Sequence, residues 1–261
     1  MDPLSYGPVK RPLVDPISLP SMATWGLAVV LACAVVVAAT RCGSGAVLIA
    51  ADSFDSDLRN GWGSTDAGGS YSLVGDPSDF DVSGGVGTIL LRYPATPRAA
   101  YLAEVSIRDL GAALRVTTDR APAGGRHFIY LCLRRTDQAE YMAKLSLAEG
   151  GAVFVQATSL SRAEAGVERE IALSPEFRLD RVVYEPGMWI NLEAQISGGV
   201  ATNLRIRAWL EGGPRPGWQV SISDALPERQ LPGTVGIRAR VGQGVADLPV
   251  LVRLDDLRVG Q

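Results

Sequence analysis

The sequence predicts an all-β protein: a two-sheet antiparallel jelly-roll β-sandwich preceded by one N-terminal transmembrane helix. Three observations predict the sandwich. Strict apolar–polar alternation recurs along the chain, glycine pairs separate the alternating runs, and no long amphipathic helix is written after residue 52. Ile190, Leu192, Ala194 and Ile196 share one face against Asn191, Glu193 and Gln195, the period of an antiparallel strand buried on one side. Leu204, Ile206, Ala208 and Leu210 repeat this against Arg205 and Arg207, and Val235, Ile237, Ala239 and Val241 against Arg238 and Arg240. Gly124-Gly125, Gly150-Gly151, Gly198-Gly199 and Gly212-Gly213 offer the positive φ that tight hairpins require. About a dozen such strands without helices bury their apolar faces by packing two sheets together.

Strands are expected at Tyr71–Val74, Val86–Arg92, Ala100–Arg108, Ala113–Thr118, His127–Arg135, Glu140–Leu147 and Ala152–Ser159. Others are expected at Trp189–Ser197, Thr202–Leu210, Trp218–Ser223, Thr234–Val241 and Val250–Val259. Arg162–Ile171 reads as one short turn or helix. Trp62 and Trp218 are expected in the core, Cys132 as a small core residue, and His127 as an ordinary surface or edge residue.

Residues 1–20 form a polar tail with five prolines (Pro3, Pro8, Pro12, Pro16 and Pro20), followed by an uncharged segment over residues 21–40. Twenty residues rise about 30 Å as a helix, enough to cross the hydrocarbon of a bilayer. Its most apolar part, Trp25 to Ala39, would contact membrane lipid. Lys10 and Arg11 precede the span, which places the tail in the cytoplasm and the rest of the chain outside. A retained signal anchor and a signal peptide cleaved after Ala39 or Ala51 both fit. Residues 41–51 read as a linker and 52–261 as one domain.

The net charge of −3 and an isoelectric point near 5.3 argue against nucleic acid as a partner. One histidine excludes a two-histidine catalytic or metal centre. Three cysteines make no disulfide framework.

Five separated stretches carry a resemblance: DSFDSDLRNGWGSTDAGGSYSLVG, EPGMWINLEAQISGG, TNLRIRAWLEGGPRPGWQVSISD, PGTVGIRARV and LVRLDDLRV. In this order the chain resembles a concanavalin A-like (laminin-G-like) lectin/glucanase jelly-roll module of bacterial secreted or surface proteins. The resemblance covers roughly Asp52 to Val259. Relatives of this general fold carry a structural calcium ion where the first and last strands meet, which implies Asp52 with Asp255 or Asp256 as ligands; otherwise no cofactor is expected. Asp76, Asp79 and Asp81 form a second acidic group, in a loop leading into Val82.

The glycosidases of this superfamily place Glu-x-Asp-x-x-Glu on a sheet strand. No such run exists here. The nearest is the stretch from Glu164 to Glu170, in which Glu168 and Glu170 alternate. No Gly-x-Ser-x-Gly elbow is present either. The sequence alone therefore reads as a membrane-anchored, non-catalytic module, not an enzyme, binding a glycan or another cell-envelope component. Trp189 and Trp209 fall on polar strand faces and could stack on a sugar ring, with Asn191, Gln195, Arg205 and Arg207 bonding its hydroxyls. The alternative is a structural or assembly subunit docked on other membrane proteins; a saccharide-cleaving enzyme using Glu168 comes third. Arg205, Arg207, Arg238 and Arg240 together could make a basic face for acidic glycans. Fractionation of cells is expected to place the full-length chain with membranes; its recovery as a freely dissolved cytosolic protein would overturn the span.

Overall fold

The computed structural model describes residues 47–162 and 167–261. The expected span, tail and most of the linker, with Cys33 and Cys42, lie outside them. Among the described residues no helix is long and apolar enough to cross a membrane.

Sixteen strands, β1 (Leu48–Asp52), β2 (Tyr71–Val74), β3 (Phe80–Ser83), β4 (Val86–Leu91), β5 (Arg98–Leu102), β6 (Leu110–Thr118), β7 (His127–Arg135), β8 (Ala139–Leu147), β9 (Val153–Arg162), β10 (Glu168–Ala172), β11 (Phe177–Arg178), β12 (Ile190–Ser197), β13 (Thr202–Leu210), β14 (Val220–Asp224), β15 (Thr234–Val241) and β16 (Val250–Gly260), form two eight-stranded antiparallel sheets. The first runs β14-β13-β12-β6-β16-β4-β3, with β1 pairing β16; the second runs β10-β9-β8-β7-β15-β5-β2, with β11 pairing β9. Eleven of the twelve expected strands are present, and the twelfth, expected at Ala100–Arg108, lies instead at Arg98–Leu102, with the chain turning after Leu102. The four not foreseen are short edge pieces, β1, β3, β10 and β11, with too few residues to show a period. Of the expected turn at Arg162–Ile171, residues 163–166 lie outside the described residues; Arg162 ends β9 and Glu168 to Ile171 belong to β10, with Glu168 opposite Arg162 and Glu170 opposite Leu160.

Alternation decides which faces meet. Ile190, Leu192, Ala194 and Ile196 of the first sheet are fully buried with Ile129, Leu131, Leu133, Val235 and Ile237 of the second in one continuous core. Trp62 closes one end of it. Its ring meets Phe54, Tyr71 and Phe80 edge-on at centroid distances of 5.2 to 5.8 Å, and its indole N–H donates to the Thr88 carbonyl at 3.0 Å. Such pairs prefer this edge-to-face geometry.

Trp218 departs from expectation. It lies half-buried on the outer face of the first sheet, beneath Arg205 and Arg207. His127 also departs. It is 1% exposed, and neither ring nitrogen has a hydrogen-bond partner. Its parity with Ile129 and Leu131 turns it inward.

Burial pushes the His127 imidazole down to about 4, against a weaker opposing pull from Asp119. A depressed value means that the folded state takes up its proton later than the unfolded chain. Stability is therefore full above about pH 6.5 and is lost as pH falls toward 4. The loss attributable to this group is roughly 3 kcal/mol. Thermal unfolding followed across that window is expected to show a steeper acid loss for the natural chain than for His127→Leu. Parallel profiles would assign the acid sensitivity elsewhere.

Candidate active site on the concave face

The second sheet carries a second, smaller apolar layer on its outer face. Ala99, Tyr101, Tyr130, Cys132, Met142 and Leu160 pack there, separate from the main core, with Phe128 against them. Register explains the grouping. Gly236 sits opposite both Tyr101 and Cys132, and a Cβ on Gly236 would lie 2.4 Å from the Tyr101 ring. Only glycine lets that ring lie flat across β15.

Charged side chains cover this floor. Glu140 of β8 is 0% exposed. Its carboxylate accepts the Tyr101 hydroxyl at 3.1 Å and Nη2 of Arg162 at 2.7 Å. The same guanidinium reaches Glu168 of β10 through Nε at 3.3 Å, so one arginine separates two carboxylates. Glu168 is also held by Nη2 of Arg238 at 2.6 Å. Beside this group, Glu170 accepts from Tyr130 at 3.1 Å and Arg240 at 3.0 Å, and pairs with Lys144 at 3.0 Å.

The Glu168–Arg238 contact reports the shape of the sheet. β10 and β15 are separated by β9, β8 and β7. Across a flat sheet four strand spacings make about 19 Å, more than a glutamate and an arginine reach end to end. The sheet must curl, with its outer face concave.

Burial opposes ionisation of Glu168, but the hydrogen bonds and charge of Arg238 and Arg162 outweigh it and hold the carboxyl below the usual range. Glu170 is likewise held low, by Lys144 and Arg240 against burial. Burial raises the Tyr101 and Tyr130 hydroxyls and the Cys132 thiol, so all three stay protonated at neutral pH.

The residues singled out for ligand binding lie on the other side of the sandwich. Asn191 faces Trp209, and Gln195 faces Arg205, along the β12–β13 pair. They are engaged with one another. Arg205 donates to Gln195 at 2.6 Å, Arg207 grips Glu193 at 2.7 Å and stacks on Trp218 at 4.1 Å, and Arg115 stacks on Trp189 at 5.0 Å. Trp189 and Trp209 are half-buried. The expected common basic face is two faces: Arg205 and Arg207 belong to the first sheet, Arg238 and Arg240 to the concave face of the second.

The calcium ligands expected from the resemblance do not form a donor set. Asp52 accepts from the Phe54 N–H at 2.8 Å and the Tyr71 hydroxyl at 2.9 Å, and burial raises its carboxyl above the usual range despite those bonds. A bulge in β16, with Asp256 at φ 53°, turns Asp255 and Asp256 toward Arg115. A guanidinium already supplies the positive charge there, so these residues do not fit a cation. Asp79, expected in a solvated loop, is buried between Arg92 and Arg98 at 2.5 Å from each. Among the described residues no group of three or more His, Cys, Asp or Glu could hold a metal ion. A separate depression of about 550 Å³ beside β3 is lined by Asp57, Leu58, Arg59, Asp81, Val82 and Ser83. Asp57 and Asp81 there bond the backbone N–H groups of Gly84 and Asn60.

No protein-family model matches the chain, and no curated protein matches it. Solved structures do match in fold. One is an endo-acting O-glycanase of the human gut microbiota, at 10% identity and TM-score 0.54, covering 82% of this chain and 98% of that one. Another is a non-specific endo-β-1,3(4)-glucanase of family GH16, at 10% identity and TM-score 0.56, covering 84% and 96%. A third is a glycoside hydrolase family protein from Mycobacterium thermorestibile, at 13% identity and TM-score 0.51, covering 81% and 100%. The fold is a concanavalin A-like jelly roll. At these identities the likeness concerns the fold, and the activities belong to those proteins.

Two findings correct the reading of a non-catalytic module and of a chain that is no enzyme. These neighbours in fold are glycanases. Two carboxylates also meet outside any single-strand run: Glu140 and Glu168 come from two different strands and are bridged by Arg162, where a search along one strand finds nothing. Glu140→Ala is expected to leave Arg162 and Tyr101 facing a void and to cost about 3–5 kcal/mol in urea unfolding, with Glu140→Gln costing clearly less. Equal costs for the two would show that the charge network does not depend on the shape of that side chain.

Proposed function

We propose that the chain is a saccharide-active enzyme that hydrolyses glycosidic bonds on the concave face of the second sheet. The observation that carries this is the pair of carboxylates, Glu140 and Glu168, bridged by one guanidinium over an aromatic floor. Hydrolysis of a glycoside needs one carboxylate as an anion and a proton donor on the opposite side of the bond. Glu168 takes the anionic part, since Arg238 and Arg162 favour its charged form. Glu140, the second carboxyl of the pair, takes the proton-delivering part once Arg162 has turned off it and it has taken up a proton. The bond between the anomeric carbon and the bridging oxygen breaks, that oxygen leaves with the proton of Glu140, water adds its hydroxide to the anomeric carbon, and water's remaining proton passes to Glu168 and from there restores the starting state. The glycanase activities of proteins that share the fold agree with this reaction class.

Glu140 lies wholly beneath the Arg162–Glu168–Arg238 chain. Substrate reaches it when the Arg162 side chain turns aside, with β10 keeping Glu168 in place next to it. The span over residues 21–40, read from sequence, would hold this activity on the outer side of a membrane.

Release of reducing ends from a panel of polysaccharides is the test. Glu140→Gln and Glu168→Gln are each expected to lower kcat roughly 10²–10⁴-fold with the fold intact by circular dichroism. Full activity in either variant, or a natural chain inactive on every glycan, would sink the proposal.

A further inference from the structure

Half of the concave face is not used by the carboxylate pair. There Lys144 of β8 and Arg240 of β15 both lie against the Phe128 ring, at 4.7 and 4.6 Å from its centroid. Arg240 also donates through Nε to the Tyr130 hydroxyl at 3.0 Å. Three donors from three central strands, the Lys144 ammonium, the Arg240 guanidinium and the Tyr130 hydroxyl, converge on one carboxylate, that of Glu170. Glu170 is carried by β10, the outermost strand of the sheet, which pairs on one side only. A built anion site thus stands on three adjacent central strands, and the anion filling it stands on the edge strand.

The charge of the whole face points the same way. Among the described residues it carries Arg135, Lys144, Arg162, Arg238 and Arg240 against Glu140, Glu168 and Glu170. Cations are in excess here although the chain as a whole is at −3. Guanidinium and ammonium groups backed by an aromatic ring bind carboxylates and sulfates by charge-assisted hydrogen bonds, whereas a neutral sugar offers them no charge.

We infer that Lys144, Arg240 and Tyr130 bind an acidic group of the glycan, a carboxylate or a sulfate ester, in place of Glu170. The substrate class of the site is then an anionic glycan. Its acidic group competes with Glu170 for the same donors, so binding turns the Glu170 side chain out of the site while β10 keeps Glu168 beside Glu140. The inference rests on the proposed saccharide site and names its substrate.

Calorimetric titration of the full-length protein with a polyuronate, a sulfated glycan and a neutral glucan of matched length tests it. One or both anionic glycans are expected to bind, with affinity falling as salt rises, and the neutral glucan to bind at least tenfold more weakly. Whichever anionic glycan binds better tells whether the acid is a carboxylate or a sulfate. Glu170→Gln removes the internal competitor at nearly constant shape and is expected to raise that affinity roughly three- to tenfold. Arg240→Gln and Lys144→Gln are expected to lower it by a similar factor. A natural chain that binds neutral and anionic glycans alike overturns the inference, and so does a Glu170→Gln variant, folded by circular dichroism, that binds no tighter. The Glu170 variant decides even if Arg240→Gln fails to fold. Cleavage of a neutral glucan, abolished by Glu140→Gln, with no binding of either anionic glycan, would sink this inference and leave the hydrolase standing. Anionic binding strengthened by Glu170→Gln, with no bond cleaved in any glycan, would do the reverse.

Discussion

The curl of the second sheet is the constraint on which the site depends. A flat eight-stranded sheet would leave Glu168 and Arg238 far apart, each solvated and of little energetic consequence. Curling brings the edge strand β10 over the centre of the sheet and makes ion partners of residues four strands apart. The same curl shelters Glu140, Tyr101 and Cys132 from water, although they stand on the outer face of a sheet. The sandwich core sets the strand order and register. The shape of its outer surface then decides which polar groups meet.

Buried charge on this scale is tolerated because it is matched. Glu140 loses hydration entirely and recovers it as bonds from Tyr101 and Arg162. Burial opposes the charge of Arg238, but Glu168, together with Cys132 and Tyr101, outweighs it and raises Arg238 above its usual range. Replacing such a network by apolar side chains is often neutral for stability, while removing one member is not. Stability therefore does not require these residues to be charged. Their presence on one concave face over an aromatic floor is better accounted for by chemistry done there.

The sandwich was legible in the sequence because its signal is local. Ile190 to Ile196 and Val235 to Val241 state which side is buried without reference to any other strand. The resemblance added the jelly-roll order. The site was illegible for the opposite reason. Glu140 reads as one polar residue at the start of a strand, and nothing local says that Leu160, Glu168 and Arg238 lie over it. Alternation shows that Arg205, Arg207, Arg238 and Arg240 face away from the core, but not that there are two outer faces. His127 and Trp218 were misplaced by similar ignorance. His127 shares the parity of Ile129 and Leu131, a signal that was available, whereas the position of Trp218 depends on arginines of the neighbouring strand. The bulge that turns Asp255 and Asp256 to Arg115 lies where the resemblance implied a cation, and nothing local in the sequence shows it.

The Glu168–Arg238 and Glu170–Arg240 pairs hold β10 against the central strands, so the arrangement that completes the ion network also closes it. A neutral ligand would have to open the second pair and leave two charges desolvated or exposed without replacement. A ligand bearing its own acidic groups replaces one set of charge-assisted bonds by another, and the net cost of opening falls accordingly. On the proposed reading, this face discriminates by charge before any sugar hydroxyl is read: selectivity lies in the exchange of partners at Arg240 and Lys144, and the edge position of β10, paired on one side only, lets Glu170 give up those partners.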